Sequence, residues 1–401
     1  MGIAEGGCDN IPPFLVEYKD LFHGLEREES DEKMVSSSSS SLMCELPLID
    51  LSHRQRDMGI AEGGCDNIPP FHVKYKNLLH GLEREDADEK MISSSSSSLM
   101  CELPLIDLSH RQGNESERNK CADDMARAAS QWGFFQLINH GVPQATINQI
   151  QKQQKRAFDL PFEYKLKFGC YRWGTPTAQT AKQLCWTEAF HVPLAANSKE
   201  QLQLNEFSSI RMAIEEYGHA MARLAQEVAG ILAEKLGAKT EKATSYLRTN
   251  YTYNTSVLRL NRYPQCPVSS SVHGLIPHTD SDFLTILQQD QVGGLEIMKD
   301  GKWVCVKPEA NALIVNIGDL MQAWSNDVYK SVQHRALANN TKQRMSIAFF
   351  LCPSQDTVIS KHDGDSNPPL YRTFTFRDFK AQISEEVRLN GCKIGLPGFL
   401  L

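Results

Sequence analysis

The chain has 401 residues, of which 41% are hydrophobic and 23% charged, a composition typical of a globular protein that can bury a large core. Its formal net charge of −7, without a concentrated run of lysine or arginine, argues against a nucleic-acid partner. No stretch approaches the roughly 18 consecutive apolar residues of a membrane span, and the opening MGIAEGGCDN lacks the basic start and apolar core of a secretory signal. We therefore expect a cytoplasmic protein without a membrane partner, and the nucleus stays open as a second location.

The first part of the chain consists of two near-copies, residues 1–57 and 58–114, with a constant offset of 57 that pairs Met1 with Met58. A solenoid requires about three or more such units, so two copies do not predict one. Both copies contain ELPLIDLS, and only the second copy is continuous with the rest of the chain. We therefore expect residues 1–57 to be a disordered, duplicated extension without a folding role, arising from a tandem duplication or a gene-model artefact.

Charged and serine-rich stretches follow in the second copy, where EREDADEK precedes the serine tract at residues 93–98. Such stretches bury too little apolar surface to offset the entropy lost on ordering. This composition predicts a flexible segment over residues 58–100.

The next region, residues 101–245, has a mainly helical pattern. Apolar residues at helical spacing predict helices over 117–132, 143–158 and 207–236, and a glycine directly follows the first and the third of them. The run FFQLIN at 134–139 predicts a strand between the first two helices.

Short β-branched and aromatic runs dominate residues 250–355. They predict strands at 256–262, 282–287, 294–298, 302–306, 311–317 and 344–351. Many short strands of this spacing favour a jelly roll, so we expect an α+β, mainly β fold in which N-terminal helices flank that core. Residues 356–401 are expected to form a C-terminal helical tail.

Two histidines and a carboxylate in this strand-rich region form a candidate metal site. His278 and Asp280 lie in IPHTDSDFLTIL and His334 lies in KSVQHRAL. Residues two apart in an extended chain point to the same side, so His278 and Asp280 can face one ion. Two imidazoles and one carboxylate occupy one face of an octahedral ferrous ion and leave three positions for co-substrate and dioxygen.

A candidate anion site lies shortly after the last of these residues. Arg344 and Ser346 share one face of the predicted strand RMSIAFF. The guanidinium offers a planar fork of donors that matches a carboxylate, and a neighbouring hydroxyl adds a further hydrogen bond. The pair predicts an anchor for a dicarboxylate, although structural hydrogen bonds and salt bridges remain alternatives for all of these residues.

The block from about residue 253 to 353 resembles the catalytic core of plant 2-oxoglutarate- and iron(II)-dependent dioxygenases. The spacing matches that family, because the second histidine lies 54 positions after Asp280 (334 − 280) and the arginine lies 10 positions after that histidine (344 − 334). The preceding NRYPQCP resembles the strand and turn whose tyrosine, here Tyr263, contacts the co-substrate.

This resemblance implies a double-stranded β-helix core and a set of cofactors. Fe(II) would bind to His278, Asp280 and His334, and 2-oxoglutarate would bind to Tyr263, Arg344 and Ser346. Dioxygen would be the other co-substrate, with ascorbate as a supporting reductant, and oxidative decarboxylation would release succinate and carbon dioxide.

Residues 171–194 and 292–337 further resemble gibberellin 2-beta-dioxygenases, in particular the subgroup that acts on twenty-carbon precursors. That resemblance implies hydroxylation at carbon 2 of a diterpenoid acid, which inactivates the hormone. An apolar acid requires an aromatic-lined pocket with a cationic contact. The candidate residues are three aromatic residues for the pocket and two arginines for the carboxylate: Tyr171, Trp173, Trp186, Arg172 and Arg259.

Two other functions stay open. The first is a dioxygenase of the same fold that acts on a flavonoid or another secondary metabolite. The second is a jelly-roll protein that binds a metal or a hormone without turnover. The complete set of motif residues speaks against the second.

Overall fold

The computed structural model describes residues 67–79, 100–176, 178, 180–195, 208–238, 240–269, 272–364, 366–390 and 393–401. The predictions for residues 1–57 and for the serine tract at 93–98 lie outside these residues.

Helices occur mainly in the N-terminal half of the described chain. They are α1 Phe71–Lys74, α2 Glu115–Gln131, α3 Gln144–Phe158, α4 Phe162–Lys165, α5 Ser208–Lys235, α6 Thr240–Asn250, α7 Asp319–Trp324 and α8 Phe376–Asn390. The three predicted helices are confirmed as α2, α3 and α5, with ends shifted by a residue or two. Among the described residues, no helix is both long and apolar enough to cross a membrane.

Local signals define the ends of α2. The Asn114 side chain accepts a hydrogen bond from the Glu117 backbone N–H at 3.0 Å, and the Glu117 carboxylate accepts one from the Asn114 N–H at 2.9 Å. This reciprocal capping box satisfies donors that the first helical turn leaves free. At the other end, Gly133 has φ 62°, a left-handed conformation that stops the helix and that glycine adopts without steric cost.

Short strands are concentrated in the C-terminal half of the described chain, and several more lie between the helices of the N-terminal half. They are β1 Met100–Cys101, β2 Leu105–Asp107, β3 Phe134–Ile138, β4 Tyr171–Trp173, β5 Glu188–Pro193, β6 Val257–Tyr263, β7 His273–His278, β8 Leu284–Gln289, β9 Leu295–Lys299, β10 Lys302–Val306, β11 Leu313–Ile317, β12 His334–Leu337, β13 Arg344–Leu351, β14 Val358–Ile359 and β15 Phe374–Thr375. The strand predicted at 134–139 is present as β3, and the six predicted over residues 250–355 are present as β6, β8, β9, β10, β11 and β13.

The strands form a double-stranded β-helix, or jelly roll, of two sheets with flanking helices. The larger sheet has the order β2-β3-β11-β8-β13-β6-β5-β4, and the smaller has the order β1-β10-β9-β12-β7. The chain passes repeatedly between the sheets: β6, β8, β11 and β13 belong to the larger sheet, and β7, β12 and the hairpin β9–β10 belong to the smaller one. Residues distant in sequence therefore meet between the two sheets.

Side chains on the two faces of the larger sheet pack into two separate hydrophobic clusters. On β11, Ile314 packs in a small cluster with Phe134, Leu295 and Ile297, which come from both sheets. Its neighbour Val315 belongs instead to the large cluster between this sheet and the helices. The period of two along each strand thus separates an inner face, which surrounds the site described below, from an outer helix-covered face.

The region predicted to be helical, residues 101–245, also supplies strands β2 to β5 to the larger sheet. Two of them, β4 and β5, were not predicted. Because five of the six residues of β5 are buried, the strand has no alternation of polar and apolar residues. Its sequence, EAFHVP, also opens on a buried glutamate, which opposes a strand prediction. Likewise, the tail at 356–401 contains β14 and β15 as well as α8.

One part of the predicted flexible segment 58–100 is ordered against the core. Phe71, Tyr75 and Leu79 are 1%, 4% and 6% exposed, and their spacing places them on one helical face. Phe71 stacks on Trp186 with ring centroids 4.5 Å apart. Composition predicted flexibility here because the few apolar anchors lie between polar stretches.

Candidate metal and co-substrate site

Strand pairing brings the two motif histidines together. His278 ends β7, His334 begins β12, and the two residues are direct partners in the antiparallel ladder. Asp280 follows two residues after β7, and its Oδ1 lies 3.5 Å from His278 Nε2 and 3.6 Å from His334 Nε2. The three ligand atoms all lie within 4.8 Å of one another, as a single metal ion requires.

Backbone carbonyls orient both imidazoles. His278 Nδ1 lies 2.9 Å from the Ile276 carbonyl oxygen, and His334 Nδ1 lies 3.1 Å from that of Val332. A carbonyl only accepts hydrogen bonds, so Nδ1 carries the proton in each ring and Nε2 offers its lone pair to the centre of the site.

Two polar side chains of the larger sheet hold the Asp280 carboxylate. Its Oδ2 accepts hydrogen bonds from Thr285 Oγ1 at 2.6 Å and from Asn316 Nδ2 at 2.8 Å. Oδ1 therefore remains directed at the two imidazoles. Burial raises the pKa of Asp280, but His334, His278 and Thr285 together bring it well below its usual range, so the carboxylate is ionised.

The state of His334 also suits a metal ligand. Burial, together with the neighbouring His278, lowers the pKa of His334 to about 4. The imidazole is therefore neutral at physiological pH, and a neutral imidazole is the form that binds a metal ion.

A buried guanidinium lies on the same inner face. Arg344 begins β13 and is 2% exposed, and its Nη2 donates to Gln289 Oε1 at 2.8 Å. Its guanidinium carbon lies 4.9 Å from the centre of the Tyr263 ring. Ser346, two residues further, accepts a hydrogen bond from Asn261 Nδ2 at 3.3 Å.

Two of the donors on Arg344 are unsatisfied within the described part of the chain. Its Nε and Nη1 are buried and have no hydrogen-bond partner there. Leaving charged donors unpaired in the interior is costly, whereas a bound carboxylate beside the guanidinium would supply acceptors for charge-assisted hydrogen bonds. The residues present therefore fit a 2-oxoglutarate carboxylate, just as the two imidazoles and Asp280 fit a ferrous ion.

One cavity connects these two groups. It is lined by the metal-site residues His278, Asp280 and His334, by Tyr263, Arg344 and Ser346, and by apolar residues of both sheets. The apolar part includes Phe134, Leu275, Leu287, Leu295, Ala348 and Phe350. The cavity therefore offers adjoining binding surfaces for a metal ion, a dicarboxylate and an apolar molecule.

Of the five residues predicted to contact an organic acid, the structure places one in this cavity, namely Arg259. Arg259 lies on β6 with the same facing as Asn261 and Tyr263, and its Nε donates to Asn261 Oδ1 at 2.8 Å.

The other four residues do not line the cavity. The Tyr171 hydroxyl donates a hydrogen bond to Glu188. Trp173 packs edge-on against the Phe71 ring with centroids 5.5 Å apart, and Trp186 stacks on that same Phe71 ring. Arg172 donates to backbone carbonyls of its own segment. The reason is topological, because β4 forms the far edge of the larger sheet, two strands away from β6.

Several cavity residues were missed from the sequence. Asn316 had a detectable signal, since a polar residue inside the apolar run LIVNI suggests a buried hydrogen bond. Lys380 and Ile383 had none: they line the cavity from α8, and only the packing of that helix against the jelly roll brings them there.

Comparisons with known proteins agree with this geometry. A model of the 2OG-Fe(II) oxygenase superfamily matches residues 254–353, and a model of the N-terminal region of a non-haem dioxygenase in morphine synthesis matches residues 103–218. Gibberellin 2-beta-dioxygenase 8 of Arabidopsis thaliana is 46% identical over 343 residues, which cover 83% of this chain and 98% of that protein.

Two further comparisons cover similar lengths. Gibberellin 2-beta-dioxygenase 6 of Oryza sativa subsp. japonica is 46% identical over 82% of this chain and 95% of its own. The crystal structure of JOX2 in complex with 2OG, Fe and JA superposes with a TM-score of 0.62 at 30% identity, covering 77% of this chain and 92% of that chain.

Proposed function

The chain belongs to the 2OG-Fe(II) oxygenase superfamily and is a 2-oxoglutarate-dependent dioxygenase, and we propose that it hydroxylates gibberellins at carbon 2. The proposed substrates are twenty-carbon precursors, which the reaction would inactivate as hormones. The observation that carries the reaction type is the single cavity shared by the His278–Asp280–His334 group and the buried, partly unpaired Arg344. Similarity over nearly the full length of two gibberellin 2-beta-dioxygenases supports the substrate.

We assign the cofactor contacts residue by residue. His278, Asp280 and His334 would hold Fe(II). Arg344 and Ser346 would hold the far carboxylate of 2-oxoglutarate, and Tyr263 would be a further contact to the co-substrate. When bound, the iron and 2-oxoglutarate supply the activation of dioxygen that replaces a C–H bond of the substrate with C–OH.

The protein's own contribution is positioning and exclusion of water. Thr285 and Asn316 fix one oxygen of Asp280, so the other stays available to the metal. Arg344 supplies charge-assisted hydrogen bonds that fix the orientation of the co-substrate. The apolar walls, including Phe134 and Leu295, keep bulk water away from the reacting centre.

Arg259 is the residue we propose for the substrate carboxylate. It faces the cavity, and no described carboxylate forms an ion pair with it. Burial lowers the pKa of Arg259, although an arginine remains protonated at physiological pH. A cation beside apolar walls matches an organic acid with a hydrocarbon skeleton.

The decisive experiment offers nineteen- and twenty-carbon gibberellins together to the purified full chain with Fe(II), 2-oxoglutarate and ascorbate. Mass spectrometry should detect products one oxygen heavier, formed in step with succinate and predominantly from the twenty-carbon substrates. Flavonoids form the second arm. Succinate formation stimulated by flavonoids and not by gibberellins would overturn the substrate, and no stimulation by either would favour a binding protein.

A matched pair of variants tests the contact with the acid. R259A should raise the KM for the gibberellin while leaving the KM for 2-oxoglutarate unchanged. R172A, which removes an arginine that does not line the cavity, is the control and should change neither value. Equal effects of the two substitutions would exclude Arg259 as the carboxylate contact.

We also propose that residues 1–57 duplicate a segment that the fold uses once. In the second copy, Met100–Cys101 pairs with β10 and Leu105–Asp107 pairs with β3, so both strands already have their places. Deleting residues 1–57 should preserve turnover and thermal stability. A loss of either would show that the first copy contributes to the fold.

A further inference from the structure

Lys393, near the C-terminus, contacts the loop that carries Asp280. Its Nζ donates to the Thr279 carbonyl oxygen at 3.0 Å and to Ser281 Oγ at 2.7 Å, on the two sides of Asp280. It also forms an ion pair with Asp319 at 2.5 Å, in which the two side chains are 9% and 4% exposed. We propose that Lys393 is a positioning residue for the iron-binding carboxylate.

Asp319 also holds this loop. Its backbone N–H donates to the Asp280 carbonyl oxygen at 2.9 Å, and its carboxylate accepts a hydrogen bond from Thr279 Oγ1 at 3.3 Å. Lys393 and Asp319 together therefore bind the backbone or side chain of every residue from 279 to 281. The loop that carries the metal ligand depends on a buried ion pair between two distant parts of the chain.

The loop and the carboxylate are held by different groups. Thr285 and Asn316 orient the carboxylate of Asp280 from the larger sheet, whereas Lys393 contacts only its neighbours. Removing Lys393 leaves the hydrogen bonds to the Asp280 carboxylate in place but frees the Thr279 carbonyl on one side of Asp280 and the Ser281 side chain on the other. The result should be a carboxylate of correct orientation at a less well-defined distance from the two imidazoles.

A second anchor fixes the position of Lys393 itself. The backbone N–H groups of Ile394 and Gly395 donate to Glu386 Oε2 at 2.9 Å and 2.8 Å, and Glu386 is 7% exposed on α8. The same helix contributes Lys380 and Ile383 to the cavity wall. One C-terminal unit thus forms part of the substrate surface and also holds the metal-binding loop.

The test measures iron binding directly, by anaerobic titration of the full-length apoprotein with Fe(II). Loss of a group that orients a metal ligand typically weakens metal affinity about 10–100-fold, and we expect K393M to fall in this range. K393R keeps the charge and should recover most of the affinity. The control is K299M, because Lys299 also donates to a backbone carbonyl, that of Gln131, but lies outside the cavity.

Three further measurements separate positioning from a merely structural role. The Co(II)-substituted protein should show an altered ligand-field spectrum in K393M and an unchanged one in K299M. E386Q, which loosens the second anchor, should weaken Fe(II) binding by a smaller factor and gives a readout even if K393M does not fold. Thermal melting of each apoprotein shows whether a change in iron affinity follows a general loss of stability.

This inference rests on the proposed iron ligands, and its failure can be told apart from theirs. If the unmodified protein binds no Fe(II), the ligand assignment is overturned. If it binds Fe(II) and both K393M and E386Q bind it equally well, only the positioning role of Lys393 is overturned, even if their melting temperatures fall.

Discussion

Two buried arginines on adjacent strands of the larger sheet have opposite surroundings. Arg262 is 3% exposed on the outer face, where its guanidinium donates to Glu188 and to the Asn67 carbonyl oxygen. Arg344 is 2% exposed on the inner face, and its only hydrogen bond in the described chain is to Gln289, a neutral amide. Burial is the same in both cases, so burial alone does not distinguish a structural charge from a binding charge.

The difference lies in how completely the charge is satisfied. Glu188 also accepts hydrogen bonds from Lys165 Nζ at 2.5 Å and from the Tyr171 hydroxyl, so the outer cluster is a closed network. Lys165 additionally donates to the Asn67 carbonyl at 2.7 Å, which fastens the segment before α1 to the core. The inner arginine retains buried donors that no described residue pairs. Unpaired donors on a charged group, rather than depth, distinguish the arginine of the site.

The largest expected effect is on the inner face. H278A removes a metal ligand, so Fe(II) titration should show no high-affinity binding and turnover should fall to background. The fold should survive, because the side chain makes one hydrogen bond to its own strand. A variant that retained turnover would contradict the ligand assignment.

R344L is the next test. Losing charge-assisted hydrogen bonds worth about 3 kcal/mol should raise the KM for 2-oxoglutarate about 100-fold. Without co-substrate, the variant should be at least as stable as the unmodified protein, because buried unpaired donors have been removed. Steady-state rates at varied 2-oxoglutarate concentration check the KM. Thermal melting with and without 2-oxoglutarate checks the stability, and stabilisation by 2-oxoglutarate should be lost.

On the outer face the expected pattern is reversed. E188Q leaves Lys165 and Arg262 as buried cations without a compensating charge, which should cost about 3–5 kcal/mol of unfolding free energy in urea denaturation. The KM for 2-oxoglutarate of the protein that remains folded should not change. A large change in that KM with normal stability would remove the distinction between the two arginines.

The smallest effect is expected for Y171F. The substitution removes one hydrogen bond to a charged acceptor, which is worth about 1.5–3 kcal/mol, and leaves the ring packing intact. Because Tyr171 does not line the cavity, the KM for the gibberellin should stay the same. A raised KM would restore Tyr171 as a substrate contact.

Much of the fold and of the proposed site could be predicted from the sequence because the signals were local. Short β-branched and aromatic runs marked the core strands, and the spacing of His278, Asp280, His334 and Arg344 marked the residues that meet in the cavity. Strand β5, which is buried on both faces, has the sequence EAFHVP and contains no such run. The α8 wall could not be predicted either, because its contacts depend only on tertiary packing.

The substrate residues show the limit most clearly. Alternation along β6 places Asn261 and Arg262 on opposite faces, but it does not say which face contains the cavity. Likewise, the aromatic residues around Trp173 look alike in sequence whether they line a pocket or pack against Phe71. The order of the strands in the sheet determines which face of β6 lines the cavity and whether these aromatic residues reach it. Strand order depends on contacts between residues distant in sequence.

The pairing of His334 with His278 across β7 and β12 has a consequence for how this site tolerates change. Between Asp280 and His334, which are 54 positions apart, the chain passes through several strands, a helix and loops. The length of this segment does not set the distances between the metal ligands. The hydrogen-bond register between β7 and β12 sets the distance between the two imidazoles. A residue added in the loop before β12 can be absorbed there, whereas a slip of one residue within the ladder would turn the second imidazole to the other face of its sheet.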